Sequence, residues 1–403
     1  MLIVQKYGGS SLASIEMIKN VANRVIKTRK QGNKVVVVVS AMGDTTDELI
    51  EKAYKITSSP NKRELDMLIS TGEQISSALL SMAIHHEGYK AISLTGSQVG
   101  IITDTMHTKA RIKGIDTKRI EKELSLDNIV IVCGFQGITV DEDITTLGRG
   151  GSDTTAIALA SVLDAETCEI YTDVDGVYTG DPRIVKKAKK LDVISYDEML
   201  EMASLGSVVL NLRAVEFAKK YGVVIHLRSS FNDKEGTIIC EEVNIMEAPV
   251  VSEIASDENC TKITIVGVKD KPGIAGTIFS HLADKGINVD MIVQGASLDE
   301  KTNNISFTVT RDDMNESVNV LKGLLPKLSA TEVIHDDNVA KVSMVGVGMR
   351  SHPGVAAKMF SLLGERNINI HMISTSEIKI SCIVEKGKAV EAVRILHSGF
   401  GLE

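Results

Sequence analysis

Tryptophan is absent from this chain of 403 residues, and Phe and Tyr contribute only seven residues each. Proteins that stack nucleic-acid bases on exposed rings need more aromatic side chains, and a net charge of −8 opposes a phosphate backbone. The longest β-branched apolar run, residues 35–39, is too short to span a membrane, and Lys6 precedes any stretch that could form a secretory leader. We therefore expect a cytoplasmic protein with no nucleic-acid or membrane partner.

Metal-binding and disulfide patterns are also missing. The five cysteines form no CxxC, the nine histidines form no HExxH, and an odd cysteine count in a reducing compartment argues against disulfides. The segment from Tyr171 to Arg183 resembles a calcium loop, but its glycine stands four positions into the loop, where an EF-hand needs it at six. We expect no metal site built from side chains, and we expect all five cysteines to be buried small hydrophobes.

What the sequence does contain, over residues 1–245, is an alternation of short apolar strands and amphipathic segments. Valines from Lys34 to Ser40 run without a polar interruption, which is typical of a strand buried on both faces of a parallel sheet. Helices are expected from Ile15 to about Lys30 and within Leu65 to His86, where Glu73 is expected on the first turn of a long, otherwise apolar helix. The pattern predicts a mostly parallel α/β domain.

Two related segments, beginning at Lys262 and Lys341, follow this domain. Each has an alternating strand, a Pro-Gly turn, a helix with one apolar face and a second strand. The first repeat continues into a βαββαβ, ferredoxin-like unit over residues 262–337. The second lacks its last strand, and residues 249–255 are expected to supply it. We therefore expect one ferredoxin-like unit, 262–337, inserted in another made of residues 248–261 and 338–403.

Small, glycine-rich or hydroxyl-rich turns are the candidate functional features of the first domain. KYGGSS follows the first strand, and adjacent glycines there allow an anion-binding nest beside Lys6. SAMGDTTD begins at Ser40, and GRGGSD ends at Asp153, which stands where a dinucleotide fingerprint needs glycine. No Walker A sequence occurs. Glu73 in STGEQ is either a helix-capping residue or a carboxylate that binds an ammonium group.

Taken singly, each of these turns is explained by local structure, but together they indicate phosphoryl transfer. They offer cations, backbone amides and hydroxyls, and no positioned His or Cys base. A carboxylate acceptor is already ionised at neutral pH, so positioning and charge neutralisation can supply most of its catalysis.

The ordered motifs KYGGSS, SAMGDTTD, STGEQ, GFQG, GRGGSDTTA and YTDVDGVYTGDPR resemble those of the aspartate kinases, in the amino-acid kinase superfamily. The paired repeats resemble the tandem ACT regulatory domains of the same enzymes. This resemblance covers essentially the whole chain and implies the monofunctional form. It implies a three-layer α/β/α kinase domain with a mostly parallel sheet, followed by two ferredoxin-like ACT domains.

The resemblance further implies transfer of the γ-phosphoryl group of ATP to the β-carboxylate of L-aspartate, with Mg²⁺ bound through the ATP phosphates. The product, 4-phospho-L-aspartate, leads to lysine, threonine and methionine. The implied catalytic residues are Lys6 and Asp153. The implied aspartate-binding residues are Thr46, Glu73, Phe135, Arg149 and Ser152. The implied ATP-binding residues are Lys6, Gly8, Gly9, Ser10, Ser40, Thr172, Asp173, Tyr178 and Arg183.

By the same resemblance, the ACT repeats bind an amino-acid effector between two subunits, which implies a homodimer or a larger homo-oligomer. The implied effector-binding residues are Asp270, Gly273, Ala275, Asp290, Gln294, Ser376 and Glu377. Lysine, threonine or both remain open as effectors, because Ala356 stands where relatives can carry threonine.

One departure from the family pattern is Val208, which replaces a lysine that approaches the ATP phosphates, and we expect weaker ATP binding for that reason. Met246 stands where related genes can start a regulatory polypeptide, and we interpret it as a linker methionine. Two other functions stay open from the residues. One is an amino-acid sensor with a degenerate kinase domain, and the other is a kinase for glutamate or acetylglutamate.

Overall fold

The computed structural model describes residues 1–205, 209–241, 250–296 and 302–403. Contacts divide the chain into two compact units. The first comprises Met1–Val177 and Lys190–Asn244, and the second comprises Tyr178–Lys189 and Ile245–Glu403. Val208 and Met246 lie outside the described residues.

Strands and helices alternate through most of the first unit, as expected. Its strands are β1 (Leu2–Tyr7), β2 (Lys34–Val39), β3 (Ala91–Leu94), β4 (Ile101–Thr103), β5 (Ile112–Ile115), β6 (Ile129–Cys133), β7 (Gln136–Ile138), β8 (Ile144–Thr146), β9 (Thr167–Thr172), β10 (Val193–Ser195), β11 (Ile225–Ser229) and β12 (Thr237–Cys240). Its helices are α1 (Ile15–Lys30), α2 (Thr45–Ile56), α3 (Lys62–Ile69), α4 (Thr71–His86), α5 (Lys118–Ser125), α6 (Gly151–Val162), α7 (Tyr196–Ser204) and α8 (Leu212–Tyr221).

Eight strands form the main sheet in the order β10-β12-β11-β9-β1-β2-β6-β3. All neighbours are parallel except β11 and β12. The valines of β2 explain how the sheet is covered: Val36 and Val38 join the core that contains α6 and α8, whereas Val35, Val37 and Val39 join the core with α1 and α4. The predicted three-layer α/β/α fold is confirmed.

A smaller sheet, in the order β5-β4-β7-β8, belongs to the same unit and was not predicted. The stretch from Leu65 to His86 is helical but divided, because α3 ends and α4 begins on either side of Ser70, and Glu73 lies in the first turn of α4. The Ser70 hydroxyl donates to the Met67 carbonyl at 2.9 Å, and the Ser70 carbonyl accepts from Gln136 Nε2 at 2.8 Å. These side-chain bonds occupy backbone groups at the junction of the two helices.

The second unit contains two antiparallel sheets. Its strands are β13 (Glu253–Asp257), β14 (Thr261–Lys269), β15 (Ile292–Ala296), β16 (Thr302–Val309), β17 (Glu332–Asp336), β18 (Val339–Val345), β19 (Met372–Thr375) and β20 (Lys379–Glu385). Its helices are α9 (Ile274–Ala283), α10 (Met314–Leu328), α11 (Val355–Glu365) and α12 (Ala389–Gly399).

Each of these sheets is covered by two helices. One sheet has the order β15-β16-β14-β17 and shares a core with α9 and α10; the other has the order β13-β18-β20-β19 and shares a core with α11 and α12. The predicted ferredoxin-like units are thereby confirmed. Val185, from the segment Tyr178–Lys189, is buried in the core of the second of them.

Cysteine burial differs from the expectation at one position. Cys133, Cys168, Cys260 and Cys382 are buried free thiols, but Cys240 is only half-buried, because it ends β12 near the edge of the main sheet. Over the ranges that the structure describes, none of the helices has both the length and the apolarity needed to cross a membrane.

Candidate active site

The first candidate group is a lysine–aspartate ion pair at the centre of the main sheet. Lys6 lies near the end of β1, and Asp153 lies in the first turn of α6. Lys6 Nζ is 2.6 Å from Asp153 Oδ1, and little of either side chain is exposed. A Cβ added to Gly8 would lie 3.5 Å from Lys6 Nζ, so the ammonium is next to the glycine turn. The two implied catalytic residues are therefore in direct contact.

The glycine turn after β1 is packed tightly against the turn after β2. A Cβ on Gly9 would lie 2.9 Å from the Gly43 carbonyl oxygen, and Gly43 N–H donates to the Gly9 carbonyl at 3.0 Å. Only glycine leaves room for this approach. Ser40, at the end of β2, donates its N–H to the Tyr7 carbonyl at 3.1 Å, and Ser10 is exposed in the short 3-10 turn Gly9–Leu12.

Glu73 lies in the first turn of α4 and is only 2% exposed. Its Oε1 accepts from the Ala41 N–H at 3.1 Å, whereas its Oε2 is buried and has no hydrogen-bond partner among the residues that the structure describes. Burial raises the pKa of this carboxyl from 4.5 to about 8. A carboxylate that only capped α4 would not leave a buried oxygen without a partner. The unpaired oxygen of Glu73 therefore favours the second interpretation of this residue, a site for a ligand ammonium.

The turn between β6 and β7 touches the start of α6. A Cβ on Gly134 would lie 2.9 Å from Ser152 Oγ. Phe135 has a φ of 69°, and its N–H donates to Thr155 Oγ1 at 3.1 Å. A bulky residue in this region of φ is strained, which is common at binding sites. The turn that carries Phe135 therefore packs against the first turn of α6, which carries Ser152.

Arg149 is exposed in the loop between β8 and α6. Gly148 and Gly150, on either side of it, have φ values of 79° and 72°. Two side chains from the region of α8 hold this loop: Asn211 Nδ2 donates to the Arg149 carbonyl at 3.2 Å, and Arg213 Nη1 donates to the Leu147 carbonyl at 2.9 Å. Arg149 is therefore an exposed residue on a loop whose backbone is held by hydrogen bonds from Asn211 and Arg213.

Behind the glycine turn, a buried aromatic pair supports β1 and β9. The rings of Tyr7 and Tyr171 are stacked at 4.7 Å, and Gly8 N–H donates to the Tyr171 carbonyl at 3.3 Å. Glu169 accepts from Tyr171 Oη at 3.1 Å and from Arg228 Nη1 at 3.2 Å. Burial, together with the Glu169 charge, raises the pKa of Tyr171 to about 12, so the phenol stays neutral.

The remaining nucleotide-binding candidates fall in both units. Thr172 ends β9 in the first unit, and its hydroxyl donates to Asp173 Oδ1 at 2.9 Å. Tyr178 and Arg183 belong to the second unit, where the Arg183 guanidinium is paired with Asp181 at 2.7 Å. Thr46 is half-buried near the start of α2 in the first unit.

The effector candidates lie in the second unit. Asp270, Gly273 and Ala275 are exposed around the N-terminus of α9, and Gln294 is exposed on β15. Ser376 and Glu377 follow β19 directly, where Glu377 pairs with Arg350 at 3.2 Å. Asp290 precedes β15 and forms an ion pair with the buried ammonium of Lys341.

Sequence reasoning missed Asn211 and Arg213, which hold the Arg149 loop, and Asp66, which is buried on α3. Asn211 directly precedes α8 and caps it by accepting from the Arg213 N–H at 3.0 Å, which is a recognisable signal. Asp66 stands between Leu65 and Met67 on α3 and is fully buried, and a buried carboxylate calls for hydrogen-bond partners. Nothing in the sequence marks Arg213.

This arrangement can bind a phosphorylated nucleotide and a zwitterionic acceptor. A lysine beside tight glycine turns can neutralise a transferring phosphoryl group, and a buried carboxylate with one free oxygen can bind an ammonium. Comparison with models of protein families agrees with this chemical interpretation of the site. Residues 1–229 match the model of the Amino acid kinase family, and residues 263–324 and 342–400 match the ACT domain. Fold and site together define an amino acid kinase with ACT domains.

Similar proteins identify the branch of the amino acid kinase family to which the chain belongs. The chain is 53% identical over 401 residues to the aspartokinase of Geobacillus stearothermophilus, covering 100% of this chain and 97% of that protein. It is 50% identical over 406 residues to the aspartokinase of Corynebacterium glutamicum, covering 100% and 96%. The crystal structure of E. coli aspartokinase III in complex with aspartate and ADP is 25% identical, with a TM-score of 0.78 over 99% of each chain.

The chain belongs to the aspartokinases, within the amino acid kinase family. It is accordingly an enzyme, an aspartate kinase, and its ACT domains make it subject to allosteric regulation.

Proposed function

We propose that the enzyme transfers the γ-phosphoryl group of ATP to the β-carboxylate of L-aspartate, giving 4-phospho-L-aspartate and ADP. An oxygen of the β-carboxylate forms a bond to the γ-phosphorus, and the bond from that phosphorus to the β,γ-bridging oxygen breaks. The electron pair of that bond leaves with ADP. No proton is removed from the acceptor, because the carboxylate is already ionised near neutral pH. The product is the first intermediate towards lysine, threonine and methionine.

The observation that carries this proposal is the combination of the Lys6–Asp153 ion pair with the unpaired buried oxygen of Glu73. Lys6 neutralises charge on the transferring phosphoryl group, and Asp153 holds the lysine in place. Glu73 binds the α-ammonium of aspartate, and Arg149 binds its α-carboxylate through a forked pair of hydrogen bonds. Thr46 and Ser152 donate hydrogen bonds to the substrate, and the ring of Phe135 lines the pocket.

ATP occupies the turns at the ends of β1, β2 and β9, with Gly8, Gly9, Ser10 and Ser40 at its phosphates. The resemblance also assigns Thr172, Asp173, Tyr178 and Arg183 to nucleotide binding. The structure of E. coli aspartokinase III with aspartate and ADP supports this assignment. Mg²⁺, held through the ATP phosphates, supplies further neutralisation of their charge when bound. Among the described residues no cluster of three His, Cys, Asp or Glu side chains competes for it.

Regulation is proposed to come from lysine, threonine or both, bound at the ACT domains. The carboxylates of Asp290 and Glu377 and the N-terminus of α9 at Gly273 offer partners for an amino-acid zwitterion. Asp270, Ala275, Gln294 and Ser376 complete the site. A structure of E. coli aspartokinase III with lysine and aspartate supports an amino-acid effector of this kind.

The proposed organisation is a cytoplasmic homodimer or larger homo-oligomer that assembles through its ACT domains. Residues 1–245 form the catalytic domain, residues 262–337 the inserted ACT domain, and residues 248–261 with 338–403 the other. For Val208, the proposal is a weaker affinity for ATP. Val208→Lys should lower the KM for ATP, and an unchanged KM would show that the replaced lysine has no role here.

The decisive experiment traps the acyl phosphate with hydroxylamine and measures the hydroxamate at saturating ATP and magnesium. We expect product with L-aspartate and none with L-glutamate or acetylglutamate, and we expect lysine, threonine or the pair to inhibit. Absence of product with every acceptor would instead favour a sensor with an inactive kinase domain. Product with glutamate alone would identify a different acceptor.

A further inference from the structure

The loop that carries Arg149 has a glycine on each side of the arginine, so its sequence alone restricts the backbone little. Gly148 and Gly150, on either side of Arg149, adopt positive φ values, and such residues have wide conformational freedom. A guanidinium binds a carboxylate well only when it is held in position, so the loop must be fixed by its surroundings. Asn211 and Arg213 fix it from one side. Asp66 is the residue that fixes the other side.

Asp66 is fully buried on α3 and accepts hydrogen bonds from three different groups. His107 Nδ1 donates to Oδ2 at 2.8 Å, the Thr108 N–H donates to the same carboxylate at 3.0 Å, and the Thr146 hydroxyl donates to Oδ1 at 2.5 Å. A buried carboxylate with its oxygens satisfied in this way is rigid, because moving any partner would leave a charge unpaired.

Two of these partners bracket the start of the Arg149 loop. Thr146 ends β8 and precedes Gly148 by two residues. Thr108 has the unusual φ of 69°, and its carbonyl oxygen would lie 3.0 Å from a Cβ on Gly148. The Thr146 carbonyl also accepts from the Ala110 N–H at 2.9 Å. Asp66 therefore fixes both the strand that leads into the loop and the turn against which Gly148 packs.

The same residue is joined to the helix that carries Glu73. The Ser70 N–H donates to the Asp66 carbonyl at 3.0 Å, and Ser70 is the junction between α3 and α4. Glu73 follows three residues later, in the first turn of α4. Through its backbone Asp66 is linked to the start of α4, and through its side chain it is linked to the loop with Arg149.

We propose that Asp66 is a positioning residue that sets the spacing between Glu73 and Arg149, and hence the affinity for the amino-acid acceptor. This inference rests on the proposed function, in which these two side chains bind the ammonium and the carboxylate of the substrate. The groups that donate to the Asp66 carboxylate belong to His107, Thr108 and Thr146, which lie outside the nucleotide turns after β1 and β2. The aspartate site and the ATP site should therefore respond differently to its loss.

The test is Asp66→Asn in the full-length enzyme, assayed by hydroxamate formation with each substrate varied in turn. The KM for aspartate should rise at least tenfold, and the KM for ATP should stay within twofold. The control is Glu64→Gln, an exposed acid on the same helix, which should leave both KM values unchanged. If Asp66→Asn fails to fold in thermal melts, Thr146→Val removes only the hydroxyl donor and should raise the KM for aspartate at least threefold.

A parallel rise in both KM values, or an unchanged KM for aspartate in a folded variant, would overturn the inference. Failure of the proposed function would give a different result, because the unaltered enzyme would then form no hydroxamate from aspartate.

Discussion

Replacing Glu73 with glutamine should weaken aspartate binding in a way that depends on pH. The carboxyl is 2% exposed, its Oε2 has no hydrogen-bond partner within the described part of the chain, and burial raises its pKa to about 8. The free enzyme at pH 7 therefore holds Glu73 mostly protonated. Binding a substrate ammonium requires the ionised form, so aspartate binding near pH 7 should release a proton from this group. Glutamine preserves the shape of the side chain and removes the ionisation.

The magnitude follows from two opposing terms. A desolvated, hydrogen-bonded charge pair contributes about 3 kcal/mol, within the range found when one partner is removed. Ionising a group of pKa about 8 costs about 1.4 kcal/mol at pH 7 and little at pH 8.5. The difference leaves about 1.6 kcal/mol at pH 7, or roughly a 15-fold loss of affinity, and roughly a 100-fold loss at pH 8.5.

The assay is the KM for aspartate at pH 7 and pH 8.5, supported by calorimetric titration in two buffers to count the protons released. Glu87→Gln, at the exposed C-terminal end of the same helix, is the matched control and should behave as the unaltered enzyme does. A Glu73→Gln penalty that is equal at the two pH values would refute the argument from burial. An unchanged KM would refute the assignment of Glu73 to the ammonium.

Three further predictions concern other parts of the chain. Lys6→Met should lower kcat by about 100- to 1000-fold, because it removes a positioned charge at the phosphoryl group; a kcat within tenfold of the original would contradict that role. Asp290→Asn should raise the effector concentration for half-inhibition by about tenfold, since it removes a carboxylate that now pairs with Lys341; superimposable inhibition curves would count against it. Burial, with the Asp181 charge, raises the pKa of Glu253 from 4.5 to about 8. The contribution of protonated Glu253 to the stability of the fold is therefore complete below about pH 4.5 and is lost as the pH rises towards 8. Glu253→Gln removes this loss, and its Tm advantage over the unaltered enzyme should grow from pH 5 to pH 8; a constant difference in thermal melts would exclude this explanation.

Local patterns were sufficient to predict much of the fold. The valine run of β2 identified a strand buried on both faces, and the repeated strand–turn–helix pattern identified two ferredoxin-like units. The hydrogen bond from Gln136 to the Ser70 carbonyl at the junction of α3 and α4 was not predictable, because Gln136 is distant in the chain and approaches only in the folded state. The small sheet was missed because β4, β7 and β8 have three residues each. Such short strands do not show a recognisable alternation of apolar and polar residues.

The residues of the candidate site likewise include some that the sequence predicts and some that it does not. Lys6, Glu73 and Asp153 stand in contiguous motifs at strand or helix ends, where residue type and position are informative. The contact between Lys6 and Asp153 also requires the parallel pairing of β1 with β9 and the packing of α6, which only the fold supplies. Asp66 and Arg213 lie outside any such motif and act through buried hydrogen bonds to backbone and hydroxyl groups of other elements. Residue spacing carries no signal for partners of that kind.

The path of residues 178–189 limits how this protein can be divided. Val185 is part of the core built on β18 and α12, and Thr179 Oγ1 lies 2.9 Å from His397 Nε2 in the same unit. A polypeptide beginning near Met246 would lack both, leaving a gap in an apolar core and a buried histidine nitrogen without its hydroxyl. A polypeptide ending near residue 245 would carry this segment without the core that shelters Val185. Chimeras that exchange the regulatory half should therefore exchange residues 178–189 with it.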